Sequence, residues 1–453
     1  MLGTLGRNLP SHSITSLMKI TIHLAFLLSV ACPAFAEPPT QWIDPATGHR
    51  VVRLSREAGS ASLYFHQNAY TSEGDKLVIT TPRGLETVNL TDHSLELVVP
   101  RASYGMGGSS GIEVGRKSRQ VYYGVRGDTG TLIRATHLDT KATRDVVKLP
   151  FFAAFNGINS DETLLIGTMS ERGPSVHPPT PPDTKADSKD GKEPSATPRA
   201  GSGKRSSLAS RTNIPRAMKF YSADLKTGEV KFFNPSTNWL NHAQSSPTDP
   251  LMMLYCHEGT WHEVDRVWTL RVGTDTPRLM HTRTMPYEIA GHEFFSRDGQ
   301  WVWYDLQTPR SKEFWLAGVQ LTTGERIRYS VARSEWSVHY NVSWDGKLFA
   351  GDGGGPDSVA NQTPLPEKRK LNPPGNGQWI YLLRPQPEFK TETMSGQPVK
   401  VGRFAAEKLV DLSKHDYSLE PNVTFTPDGK WLVFRSNMHG ERHVYAVEVA
   451  KAK

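Results

Sequence analysis

Three histidines recur at one place in a repeat, and they are the residues whose chemistry is worth asking about first. His242 stands four residues before Ser246, His292 four before Ser296, and His339 four before Ser343. In the last unit Asn422 stands four before Thr426, with Glu420 two further back. In the first, Gln67 stands four before Thr71, beside His66. A lone histidine near a strand end is commonly a satisfied structural residue. Three in register, completed by amide and carboxylate side chains, argue for a shared site. Imidazole, carboxylate and amide oxygen together suit a divalent ion such as Mn²⁺ or Ca²⁺, and a remaining imidazole can accept a proton. The scarcity of cysteine argues against a structural zinc site.

A repeated turn must position these groups. The form Ser/Thr-x-Asp-Gly, followed by an alternating apolar strand, occurs at Ser296–Gly299, Ser343–Gly346 and Thr426–Gly429, with Glu for Asp at Thr71–Gly74. Looser copies lie at Asn159–Glu162 and Ser246–Asp249, and a degenerate one at Arg116–Arg119. The acidic side chain caps such a turn and Gly takes positive φ, so a tight hairpin follows. Starts at 246, 296 and 343 lie 50 and 47 residues apart, and those at 71 and 159 lie 88 apart, two units of 44. Seven units of about 45 residues, each with room for four short strands, predict an all-β, seven-bladed β-propeller. Equivalent positions of successive blades share one face and radius. His242, His292, His339, Asn422 and Gln67 are therefore expected around one central funnel.

Charge and composition narrow the partners. The 453 residues carry a formal +7 and 2 Cys. Residues 1–36 contribute +2 and residues 173–212 contribute +3, so the remainder carries only +2. No clustered basic face is indicated, and nucleic-acid binding is not expected. Residues 18–36, MKITIHLAFLLSVACPAFA, place a lysine before an apolar run and end in Ala34-Phe35-Ala36, the pattern of a secretory leader starting at Met18. No later segment is apolar enough to span a bilayer. A periplasmic or secreted location follows, with Cys256 left as a lone, core-type thiol. Residues 37–453 then form one domain. Its 173–212 segment, with seven Pro and almost no large apolar side chain, is expected to be a disordered surface insert.

Two further patterns carry no chemistry. Gly107–Gly111 matches a nucleophile elbow, but the residues after it read as turn and strand rather than helix. Gly351–Gly355 lacks the Lys-Ser/Thr of a phosphate loop and reads as a tight blade connection. The polar stretch from Cys256 to Arg266 fits either a lining of the funnel mouth, through His257 and Glu258, or a blade-crossing loop with internal hydrogen bonds.

The chain resembles the oligogalacturonate lyases, polysaccharide lyase family 22. The matching stretches are Tyr64-Phe65-His66-Gln67, NWLNH ending at His242, CHEG at 256–259 with Asp265-Arg266-Val267-Trp268, Gly291-His292-Glu293-Phe294-Phe295, His339 before Asp345-Gly346, and FTPDG at 425–429. The resemblance implies a seven-bladed propeller that performs β-elimination on short galacturonate oligomers. A base removes the C5 proton, the C4–O bond breaks, and a divalent cation neutralises the substrate carboxylate. It puts the base on His242 and a metal ligand on His292. The family's remaining Gln-x-x-His-x-His ligands fall on Tyr417 to Asn422, where Glu420 and Asn422 replace the histidines. An active-site Arg of the family falls nearest Lys219, with Arg216 close by. His339 is expected as a further ligand or a second proton-transfer group, and His66, Gln67, His257 and Glu258 as substrate-binding groups. An acidic oligosaccharide is the expected partner of a monomer or small homo-oligomer. The competing reading is a non-catalytic, TolB-like periplasmic binding propeller, which the turn repeats fit equally well but which needs no histidines in register.

Overall fold

The structure is a computed structural model that describes residues 38–103, 111–171, 211–355, 358–361, 377–394 and 396–452. The leader expected at 1–36, most of the insert at 173–212 and the serines of the Gly107–Gly111 pattern lie outside the described residues. Contacts divide the chain at Pro38, and the architecture below belongs to Pro39–Lys453.

The fold is all-β, with its sheets arranged in the manner of a propeller. Four sheets of four strands follow one another along the chain, over 61–100, 112–149, 154–236 and 239–279. Each is an antiparallel meander, as short strands joined by tight turns require. A fifth sheet has five strands. Thr424–Phe425, Trp431–His439 and Glu441–Lys451 are completed by the N-terminal strands His49–Arg53 and Gln41–Ile43. Val51, Val52 and Arg53 pair with Val447, Ala446 and Tyr445, so the first strands of the described fold close on its last.

The sixth sheet departs from the expectation of equal units. It has nine strands and spans Ile289 to Asp411. The meander Ile289–Phe295, Trp301–Gln307, Phe314–Gln320, Arg326–Val331 is joined to a second meander through the long strand Gln397–Asp411. Arg326–Ser330 pairs in parallel with Val399–Arg403, while the far half of the long strand pairs with Trp379–Pro385. A parallel link between distant segments leaves no local mark in the sequence.

The repeated turns form as read. The amide of the turn Gly donates to the first residue's carbonyl at Gly74, Gly299, Gly346 and Gly429, with φ between 68° and 72°. Asp298, Asp345 and Asp428 accept from Ser296, Ser343 and Thr426 Oγ at 2.5, 2.7 and 2.7 Å. The degenerate turn at Arg116–Arg119 lacks its own acid. Glu162 of the neighbouring sheet supplies one, accepting from the Lys117 and Ser118 amides at 2.6 and 2.8 Å. The core lies between sheets. Ile166, Phe220, Phe233, Leu240, Met253 and Tyr255 pack the third sheet on the fourth, and Leu254, Val302, Tyr304 and Ala317 pack the fourth on the next. The segment 172–210 joins two strands that pair in register from Leu164↔Asp224 to Ser170↔Met218, so it leaves the hairpin intact.

Candidate active site

The innermost strands aim the predicted groups by a shared distortion. His242 and His292 have φ of 49° and 51°, and each sits in a register shift, between Asn241 and Gln244 and between Gly291 and Phe294. Asn422 has φ 56° just before Thr424–Phe425. A left-handed bulge on a non-glycine residue costs about 1 kcal/mol or more and re-aims a side chain out of the ladder. Gly291 lets the Trp261 ring lie against the backbone beside His292, where a Cβ would collide with it. Trp261 and His292 meet edge to face at 4.9 Å.

Tyr64 is the hub, although nothing in the turn repeat marks it. Its ring stacks on His242 at 5.6 Å and meets His66 and His339 edge-on at 4.9 and 5.3 Å. His66 lies 6.1 Å from His242, and His292 lies 4.9 Å from His339, ring centre to ring centre. Three histidines thus gather round one phenol, and His292 joins them through His339. Gln67 closes the turn that presents it: its amide NH donates to the Tyr64 carbonyl at 2.9 Å, and its Oε1 accepts from the Tyr64 amide at 3.0 Å.

Two carboxylates orient the rings. His339 is fully buried; its Nδ1 lies 2.9 Å from Asp352 Oδ2 and its amide donates to Oδ1 at 2.8 Å. Its Nε2 therefore faces the Tyr64 hydroxyl at 3.3 Å and Glu420 at 3.8 Å. Asp352 belongs to the Gly351–Gly355 run, and nothing local marked it as a histidine's partner. His242 Nε2 lies 3.4 Å from Glu258 Oε1. Glu258 also accepts from Arg266 at 2.9 Å and from Arg211 at 2.5 Å. Burial pushes the Glu258 carboxyl up, but Arg266 and His242 outweigh it and hold it well below the usual range. Burial, with its histidine neighbours, holds His66 and His292 well below the ordinary imidazole value, so both are neutral at neutral pH. Burial, followed by Glu420, Glu293, Glu258 and Asp352, pushes the Tyr64 phenol up.

The other expected residues divide. His257, half-buried, alternates with Glu258 on its strand, and burial lowers its imidazole. Arg216 donates to Ser170 Oγ and lies 4.5 Å over the Trp239 ring, three residues before His242. Arg211, which no sequence pattern marks, lies 5.2 Å over the same ring. Lys219 instead pairs with Glu171 at 2.7 Å and covers Phe232.

Of the expected metal set, His292 and Glu420 both lie against His339, while Asn422 is turned to backbone. Asn422 Oδ1 accepts from the Phe65 amide at 3.3 Å, and its Nδ2 donates to the Glu420 carbonyl at 3.0 Å. Its amide group is thus spent on backbone. His292 Nδ1 is buried without a partner, and Glu420 faces His339, but among the described residues no three His, Cys, Asp or Glu side chains are grouped to hold an ion. Asn422 does not fit the ligand role expected of it.

The family model of the oligogalacturonate lyases matches residues 212–453, which contain His242, His292, His339 and Glu420. The chain belongs to the oligogalacturonate lyase family. An oligogalacturonate lyase of Dickeya dadantii is 26% identical over 228 residues, 50% of this chain and 54% of its own length. An oligogalacturonide lyase of Pectobacterium atrosepticum is 25% identical over the same shares. The chain thus spans about half the length of the curated relatives it matches. Two solved oligogalacturonate lyases share the fold more fully, covering 91% of this chain and 96% of theirs. One, in complex with manganese, has a TM-score of 0.66 at 20% identity, and one from Vibrio parahaemolyticus 0.65 at 19%.

Proposed function

We propose that this chain is a lyase that cleaves oligogalacturonate-like uronate oligosaccharides by β-elimination, with His242 as the base. The observation that carries the reading is the fixed His242–Glu258–Arg266 array inside the histidine cluster of a family member. The carboxylate takes the Nε2 side of the ring, so Nδ1 is the atom that accepts the C5 proton. The electron pair forms the C4–C5 double bond as C4–O breaks. Arg211 and Arg216 on Trp239 supply a cationic, aromatic rim beside the His242 strand, suited to the carboxylate and flat face of a uronate.

The solved relative in complex with manganese supports a divalent ion here also, manganese or calcium, near His292, His339 and Glu420. The side chains as they stand do not enclose one, and no step of this reading runs through it. Counting the nine-stranded sheet as two meanders gives seven blades, the number that the turn repeat suggests. Residues 18–36 support export, to the periplasm or beyond. An exported protein should begin at Glu37, which N-terminal sequencing of the periplasmic fraction reads directly.

The test of function is the enoate absorbance of the unsaturated product, on oligogalacturonate with Mn²⁺ or Ca²⁺ supplied. Product is expected from the wild type. A complete lack of product from any uronate oligomer would sink the reading.

A further inference from the structure

One residue layer beyond the histidines, the same innermost strands line a small cavity. Its walls include Ser245 after His242, Phe294 and Arg297 after His292, and Arg116 from the degenerate turn. Phe65 and Phe294 meet edge to face at 5.9 Å in this layer, and His66 lines the cavity as well. Two guanidinium groups therefore face one space within the fold.

Neither cation is properly paired. Arg297 lies 5.2 Å over the Trp344 ring and makes no hydrogen bond or ion pair to any described residue. Arg116 reaches Glu113 only at a stretched 3.8 Å, and its Nε is buried without a partner, as is Ser245 Oγ. Burial pushes the Glu113 carboxyl up to about 7, so it is a poor counter-ion. Glu162 spends its oxygens on the Lys117 and Ser118 amides, Ser118 Oγ and the Tyr122 hydroxyl. Burial and then Arg116 pull Arg297 down to about 10, the mark of two like charges sharing a cavity. Arg297 and Arg116 are both part-buried, and a cavity with two guanidinium groups short of counter-charge and an orphan hydroxyl donor offers what an anion needs.

We propose that Arg116, Arg297 and Ser245 form a binding site for a small monovalent anion, of chloride or formate size, in the layer beyond the histidine cluster. The anion bridges the two guanidinium groups and takes a hydrogen bond from Ser245 Oγ. This site stands whether or not the chain is a lyase, because its test reads no turnover.

Thermal unfolding at fixed ionic strength, with bulky gluconate exchanged for chloride or formate, tests it. The wild-type midpoint should rise by about 4 °C and saturate. Arg297→Met should unfold in gluconate at or above the wild-type temperature, because one of two repelling charges is gone, and should ignore chloride. Bromide should show an anomalous-scattering peak between Arg116 and Arg297 in wild-type crystals and none in the variant. A wild-type midpoint indifferent to both anions, an equal rise in both proteins, or bromide absent from the cavity would each overturn the proposal.

Discussion

At the scale of single residues, the site depends on how a few charged groups are paired. If His242 is the proposed base, His242→Gln should lower turnover by roughly a hundredfold to ten-thousandfold while leaving the unfolding midpoint nearly unchanged, because the ring is half-exposed. Kinetics beside a thermal melt separate the two effects. Glu258→Gln should cost about 3 kcal/mol in urea unfolding, because Arg266 would be left buried and under-compensated. The pH dependence has a definite sign. The folded Glu258 carboxyl is held below its unfolded value, so its contribution is present above about pH 4.3 and is lost as pH falls through the folded value. The variant's stability should therefore fall less steeply in acid than the wild type's. His242, His292 and His339 were legible because equivalent places in a repeat share a face. Tyr64, Asp352 and Arg211 were not. Tyr64 meets His339 across 275 residues, and only the closed ring of sheets brings them together. Asn422 was legible by place but not by role, because its amide bonds depend on the backbone of Phe65, 357 residues away.

At the scale of elements, the hairpin turns were open to reading and their neighbours were not. An Asp or Glu, a Gly and a following alternating strand suffice to specify the local turn, and the turns form at the expected glycines. Gly299→Ala should destabilise by about 2 kcal/mol: φ is 68°, and the new methyl would collide with Thr248 Oγ1. Gly429→Ala, at φ 69° but with open space around it, should cost only about 1 kcal/mol. Chemical denaturation of the pair isolates the contact from the backbone term. The degenerate turn at Arg116 was recognisable only by spacing, since its cap comes from Glu162 in the next sheet. The fused nine-stranded sheet was illegible for a related reason: the parallel register of Arg326 with Val399 is set by packing rather than by any local pattern.

At the scale of the whole molecule, closure joins His49–Arg53 to the C-terminal strand and makes the N-terminal strands part of the last sheet. A chain starting at Glu37 should unfold like the full-length protein. A chain starting at Arg56 loses two strands of that sheet and the Ser55–His443 hydrogen bond of 3.0 Å, and should lose cooperative unfolding. Calorimetry of both chains decides this. Closure also brings Tyr64 against His339 and Phe65 against Asn422, so the site depends on the closed fold. The proposed chemistry rests on this closed ring of sheets holding a β-eliminating base at His242. It is tested most directly by following unsaturated-product absorbance on oligogalacturonate for wild type and His242→Gln, with both proteins shown to be folded. Steady product is expected from the wild type and at least a hundredfold less from the variant. Equal rates in the two proteins would contradict it.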